Sequence, residues 1–309
     1  MIRRIRIKMV ILLIGISLYA SGQSYPGFSQ YLTNGMVINP AYTGSRGTLS
    51  TLFAMKKQWA KVEGAPTVQA ASIHAPLKND KVALGLMYSR NSYGITIDQS
   101  VYVTYAYHIH FQKSRLSFGI QGGADLSNTN YQGINTGTPN DPAFEGEPET
   151  KAFPNVGAGV YYYSSSIFLG ASVPALLSYT SEASTPEADS YHSVQDYRLL
   201  FLAGGLISFS QNFRFKPSVL MKYSAEEEIA LDINGNFIIA DLFWLGASYR
   251  TVEESVVGIL EVQLTQQLKI GYSYDYQMGE IGNFSSGSHE VLLRVEFGRK
   301  VNASSPKFF

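Results

Sequence analysis

Long stretches of this chain alternate apolar and polar residues with a period of two. Between Gln99 and Phe111, Val101, Val103, Tyr105, Tyr107, Ile109 and Phe111 share one face. Ser100, Thr104, Ala106, His108 and His110 share the other with Tyr102. A strand sends successive side chains to opposite faces, so the pattern specifies β structure with one apolar wall. Toward the C-terminus, Leu268, Ile270, Tyr272, Tyr274, Tyr276 and Met278 alternate with Gln267, Lys269, Gly271, Ser273, Asp275 and Gln277. Val291, Leu293, Val295 and Phe297 alternate with Glu290, Leu292, Arg294 and Glu296 in the same way.

The same reading predicts about fourteen strands, near 48–59, 66–77, 81–91, 99–111, 115–128, 153–163, 166–175, 195–209, 213–223, 228–239, 242–251, 256–265, 268–278 and 288–298. Most are longer than the ~5–6 residues usual in soluble sheets and suit tilted strands that need about 9–11 residues to cross lipid. The connections alternate in length. Tight turns are expected at Lys78-Asn79-Asp80, Gln112-Lys113-Ser114, Ser164-Ser165, Ser210-Gln211-Asn212, Ala240-Asp241 and Gln266-Gln267. Longer links are expected at 60–65, 92–98, 129–152, 176–194, 224–227, 252–255 and 279–287. Outer-membrane barrels have short periplasmic turns and long outer loops. In lipid every backbone N–H and C=O must pair within the protein, so such a sheet must close on itself. The expected fold is therefore all-β: a transmembrane antiparallel β-barrel of about fourteen strands. An even count would leave both chain ends on the periplasmic side, around a lumen of small polar residues.

Composition narrows the alternatives. Charged residues are 16% and aromatics 13%, including 21 Tyr, which suits a wall that meets lipid and its interfaces. The 24 basic residues balance the 24 acidic ones, a poor profile for nucleic-acid binding. There is no Cys, so disulfides and thiolate metal sites are excluded. Arg3, Arg4, Arg6 and Lys8 precede an apolar run from Met9 to Ala20, and Ala20-Ser21-Gly22 supplies small residues for cleavage. Residues 1–22 are expected to be an export signal cleaved near Gly22-Gln23. Residues 23–47 do not alternate, and Pro40 lacks the ladder donor. They form an expected N-terminal segment outside the barrel wall, followed by the barrel at 48–298 and a periplasmic tail at 299–309.

Three ordered stretches carry a resemblance. The first is Phe28-Ser29-Gln30-Tyr31 followed by Ile38-Asn39-Pro40-Ala41-Tyr42-Thr43-Gly44-Ser45. The second is Gln58-Trp59, Glu63-Gly64-Ala65-Pro66-Thr67 and His74-Ala75-Pro76-Leu77. The third is Tyr274-Asp275-Tyr276 with Ser286-Gly287-Ser288-His289-Glu290-Val291. Together they resemble the PorP/SprF family of type IX secretion system membrane proteins of the Bacteroidota, over residues 25–298. Family members often carry a bulkier residue where this chain has Gly35, and an Arg or similar residue where it has Lys56-Lys57. The resemblance implies a non-enzymatic outer-membrane barrel of the secretion and gliding apparatus. It implies as partners a secreted client adhesin with a C-terminal secretion domain, periplasmic components of the machine and a peptidoglycan-binding lipoprotein. A diffusion or uptake channel is the alternative.

Residues that could carry chemistry do not assemble into a reaction centre. His108 and His110 share a strand face but have no third ligand placed beside them. Ser288-His289-Glu290 holds the residue types of a hydrolytic triad, yet adjacent strand residues point to opposite faces. These three are candidates for a structural role in closing the barrel. Asn39, Pro40, Ala41, Tyr42, Gly44 and Ser45 are candidates for a lumen plug or a periplasmic contact. Trp59, Trp244 and the Tyr set are expected in the interfacial girdle. Gly157, Gly159, Gly204 and Gly205 are expected to permit curvature or close packing. Glu226-Glu227-Glu228 and the stretch from Asp141 to Glu149 are expected in outer loops, as solvated charge rather than Ca²⁺ ligands. No cofactor or metal site is expected.

Overall fold

The computed structural model describes residues 27–77, 80–130, 149–177, 198–224 and 229–297. The expected signal and tail, and most of the two longest loops, lie outside them. The wall begins with β1 (Leu49–Lys57), β2 (Thr67–Pro76), β3 (Val82–Tyr93), β4 (Thr96–His110) and β5 (Ser114–Thr129). It continues through β6 (Glu149–Ser164), β7 (Ile167–Val173), β8 (Leu199–Gly205), β9 (Ile207–Ser208) and β10 (Phe213–Tyr223). It ends with β11 (Ala230–Ile239), β12 (Phe243–Arg250), β13 (Ser255–Gln263), β14 (Leu268–Gln277) and β15 (Ser288–Phe297). Each strand pairs antiparallel with its neighbours in sequence. β8 and β9 are one stave interrupted at Leu206, since both face β10 in a single register, Ser218 opposite Gly204 and Phe215 opposite Ile207. β1 closes on β15, with Leu49 opposite Phe297 and Lys57 opposite His289. The result is a closed fourteen-stave antiparallel barrel with no free edge.

The alternation in sequence becomes an inside-out burial pattern. On β4, Val101, Val103, Tyr105, Tyr107 and Ile109 are exposed, whereas Tyr102, Thr104, Ala106 and His108 are buried. Val103 is 58% exposed and Ile120 on β5 is 61% exposed. Large apolar side chains stand outward on every long stave, and polar ones point inward. That is stable only where the outer wall meets hydrocarbon.

The short turns all lie at the end where β1 begins and β15 stops. The other end carries the long connections, with one correction. Residues 92–98 were expected to form a long link, but β3 and β4 run on until only Gly94 and Ile95 separate them. Gly94 takes φ +51°, a conformation open to glycine at a tight turn. The ladder there, with Arg90 opposite Gln99 and Asn91 opposite Asp98, is largely polar. Once staves rise beyond the lipid into water, polarity no longer marks a loop. For the same reason residues 149–152, expected in a loop, belong to β6.

The barrel is not hollow. Residues 28–46 are almost all buried and run inside the wall as α1 (Gly35–Ile38) and a 3-10 turn (Pro40–Tyr42). Phe28, Tyr31, Met36, Val37, Ile38, Ala41 and Tyr42 form one apolar cluster with inward residues such as Leu52, Val68, Met87, Tyr161, Phe168, Leu202 and Leu292. The core of this protein is the lumen.

Candidate functional site

The N-terminal segment crosses the lumen from one end to the other. Gly27 O accepts from Lys56 Nζ at 3.0 Å, next to the long-loop end of β1. Further along, Thr48 Oγ1 donates to Phe297 O at the short-turn end. The described chain thus begins near the long loops. The expectation that both chain ends share the short-turn side does not hold for Gly27. Strand counting fixes only where β1 starts and β15 stops, and the segment before β1 retraces the full height of the barrel.

At the long-loop end a cluster of charges clasps the segment. The Ser29 and Gln30 amides donate to the two oxygens of Glu290, at 2.6 and 3.0 Å. Ser29 Oγ lies 3.3 Å from both Asp275 oxygens. Asp275 also holds Lys56 at 2.7 Å and Arg250 at 3.5 Å. Arg250 pairs with Glu253 at 2.7 Å, and Lys222 with Asp232 at 2.9 Å. Burial works against the Glu253 carboxylate, but Arg250, Lys222 and Lys56 outweigh it and lower its pKa to about 2. At the short-turn end, Arg46 Nε donates to Glu296 Oε1 at 2.6 Å, and Arg294 lies 3.4 Å from the same oxygen. Between the two, Thr33 Oγ1 donates to Glu261 Oε1 at 2.7 Å, and Glu261 holds Lys269 at 2.9 Å. All these partners stand on β1 or on the staves from β10 to β15, and Glu253 lies in the turn after β12.

The facing wall holds the segment by shape. Asn39 Oδ1 accepts from Ala41 N at 2.9 Å and caps the 3-10 turn that Pro40 begins. Its Nδ2 donates to Val160 O at 2.9 Å. Ala41 is fully buried, with its backbone against Gly119, where a Cβ would overlap it. The Tyr42 ring meets His74 edge-on at 5.9 Å and Tyr161 at 5.7 Å. Thr43 Oγ1 donates to Thr104 Oγ1 at 2.9 Å. Gly44, at φ +75°, donates its N–H to His74 Nδ1 at 2.9 Å and leaves no room for a Cβ beside Ala83. Ser45 is fully buried. Gly159 gives way to Asn39, and Gly204 to the Phe168 ring.

The Ser288-His289-Glu290 triplet divides between the two faces of β15, with Ser288 and Glu290 buried together and His289 opposite them. Ser288 Oγ accepts from Trp59 N at 3.1 Å and fixes the start of the β1–β2 loop. His289 faces outward beside Tyr272 and Tyr274, its Nδ1 2.8 Å from the Tyr272 hydroxyl. Glu290 faces inward onto Ser29 and Gln30. His108 is buried on Ser117, while His110 is exposed at the end of β4. Trp244, expected in the girdle, instead points inward, with Lys269 Nζ 3.2 Å above its ring.

The expectation of a lumen of small polar residues also needs correction, because long charged side chains line part of it. Across β10–β15 it is lined by paired charges. The signal was present in the alternation, which puts Lys269 and Asp275 on one face of β14, and Glu290, Arg294 and Glu296 on one face of β15. Ser29, Gln30, Thr33 and Arg46 gave no such signal, because their partners lie more than 200 positions away.

A family model described as type IX secretion system membrane protein PorP/SprF matches residues 20–295. No curated protein matches the sequence. Among solved structures, the chain is similar to the Ralstonia pickettii toluene transporter TbuX, at 10% identity and TM-score 0.51, over 86% of this chain and 94% of that one. It is also similar to the CymD monoaromatic hydrocarbon channel, at 11% identity and TM-score 0.53, over 87% of this chain and 94% of that one. At such identities the likeness shows the fold of an outer-membrane barrel.

Proposed function

Because the chain belongs to the PorP/SprF family of type IX secretion system membrane proteins, we propose that it works as a filled holding barrel of the outer membrane rather than as a pore. Its export signal is cleaved near Gly22-Gln23, and the long-loop end faces outward. There it holds a secreted client adhesin by the client's C-terminal secretion domain. The short-turn end faces the periplasmic machinery, including a peptidoglycan-binding lipoprotein. The loops around residues 129–152 and 176–194 are the client contact, since binding residues concentrate in long loops on a rigid scaffold. Asn39, Pro40, Ala41, Tyr42, Gly44 and Ser45 plug the lumen. Ser288 and Glu290 complete the seam by tying the β1–β2 loop and the N-terminal segment to β15. No enzymatic step is assigned to the barrel.

One observation carries this reading: residues 28–46 are buried along the lumen and bonded to the wall at both ends. A diffusion channel needs that path open. Deleting 131–148 and 178–197 tests the holding role. The expected result is a folded barrel, shown by heat-modifiable migration, in cells that no longer display the client. Normal display after both deletions would overturn it.

A further inference from the structure

Above the buried segment, a cavity of about 250 Å³ opens toward the long-loop end. Phe28 and Val37 form its apolar floor, and Asp98, Ser100, Gln121 and Asp125 stand on its wall. The chain leaving β7 borders it, held by Gln121 Nε2 on Pro174 O at 2.7 Å and by Asn155 Nδ2 on Leu177 O at 2.9 Å.

The site is rich in acceptors and carries uncompensated negative charge. Asp125 accepts from the Tyr102 hydroxyl at 2.7 Å and from Asn155 Nδ2 at 2.9 Å. Asp98 accepts from Ser127 Oγ at 2.7 Å and from the Tyr93 hydroxyl at 2.8 Å. These donors are all neutral, and among the described residues neither carboxylate has an ion pair. Across the lumen, Asp232, Glu253 and Asp275 each face a Lys or Arg. Gln121 is only 5% exposed, and its Oε1 has no hydrogen-bond partner. Its Nε2 is committed to Pro174, so a flipped amide would lose that bond. Asn91 Oδ1, on the same wall, is also unpartnered.

We infer that this vestibule receives a cationic side chain, arginine above lysine, on an extended polypeptide arriving from the outer face. A guanidinium offers five donors in a plane, enough to meet a carboxylate and a stranded amide oxygen together. Its methylene stem would lie on Phe28 and Val37. A hydrated metal ion gains nothing from that apolar floor, and a neutral sugar leaves the two carboxylates uncompensated. The inference rests on the client-holding reading for the source of the polypeptide.

The test uses the purified full-length barrel in detergent and a labelled hexapeptide with blocked ends and one arginine. Fluorescence anisotropy should show binding. Replacing the arginine by citrulline, neutral and nearly the same shape, should weaken it at least tenfold, a comparison that needs no protein variant. Asp98→Asn with Asp125→Asn should weaken it to a similar degree. Ser100→Trp, which fills the cavity without changing its charge, should abolish it. Absence of binding, equal binding of both peptides, or arginine binding indifferent to Ser100→Trp would each overturn the site. If the peptide fails to bind while the loop deletions still remove the client from the surface, the vestibule falls and the holding role stands. If the peptide binds as expected while display survives the deletions, the site stands and the holding role falls.

Discussion

The two halves of the lumen wall grip the same segment by different physics. From β10 round to β1, the wall presents Lys56, Arg250, Glu261, Lys269, Asp275, Glu290, Arg294 and Glu296, all buried and nearly all paired. From β2 to β7 it presents hydroxyls, aromatic rings and glycines that fit the 3-10 turn. The difference teaches where tolerance lies. A buried charge whose partner is lost has no solvent to turn to, so the ionic half should fail abruptly. The shape half can give by small displacements of rings, and only backbone overlap is absolute.

The most damaging single change should be Asp275→Ala. It strands Lys56, leaves Arg250 with Glu253 alone and removes an acceptor of Ser29. Breaking buried pairs of this kind costs about 3–5 kcal/mol. The expected result is a large drop in the temperature at which the barrel loses its heat-modifiable gel mobility. A drop no greater than that from an exposed outward substitution such as Val103→Ala would mean that the clasp contributes little.

On the other wall, Gly119→Val should come next. Its side chain would run into the Pro40–Ala41 backbone, and overpacking costs about 1–3 kcal/mol. Limited proteolysis should cut residues 28–46 in this variant and spare them in the parent. Equal protection would show that the turn does not need that approach. A smaller effect is expected for Gly35→Ala, whose Cβ would lie 2.6 Å from the Tyr42 ring. The buried ring must shift, but it gives more readily than a backbone and alanine favours α1, so the loss should fall at the lower end of the about 1–3 kcal/mol range by the same thermal assay.

A separate effect concerns acid. The Glu253 carboxyl titrates near 2 in the folded barrel, against 4.5 for the free group. A lowered folded pKa contributes stability that is complete above about pH 4.5 and disappears as the pH falls toward 2. Glu253→Gln should therefore lower the thermal transition at pH 7 and matter progressively less between pH 4.5 and 2. A constant difference across that window would assign the effect to packing.

The alternation that separated Val103 from Thr104, and Tyr272 from Ser273, was enough to place all fourteen staves, because one residue of slip would turn the lipid-facing set inward. It was also enough to sort the charges of β14 and β15 onto the lumen face. What it could not reveal was long-range pairing. Ser29 meets Glu290 across 261 positions, and no local period marks either contact. The path of residues 27–48 from the long-loop end to the short-turn end was hidden for the same reason. Trp244 was misread because a tryptophan in a membrane barrel suggests the interface, whereas the cation on Lys269 draws it inward.

The central claim is that the chain fills its own lumen, and planar-bilayer conductance of the purified full-length protein tests it most directly. The account predicts a silent membrane for the parent and steady channel openings for Gly119→Val combined with Asp275→Ala, which releases the segment from both walls. Steady, large conductance from the parent protein would contradict it.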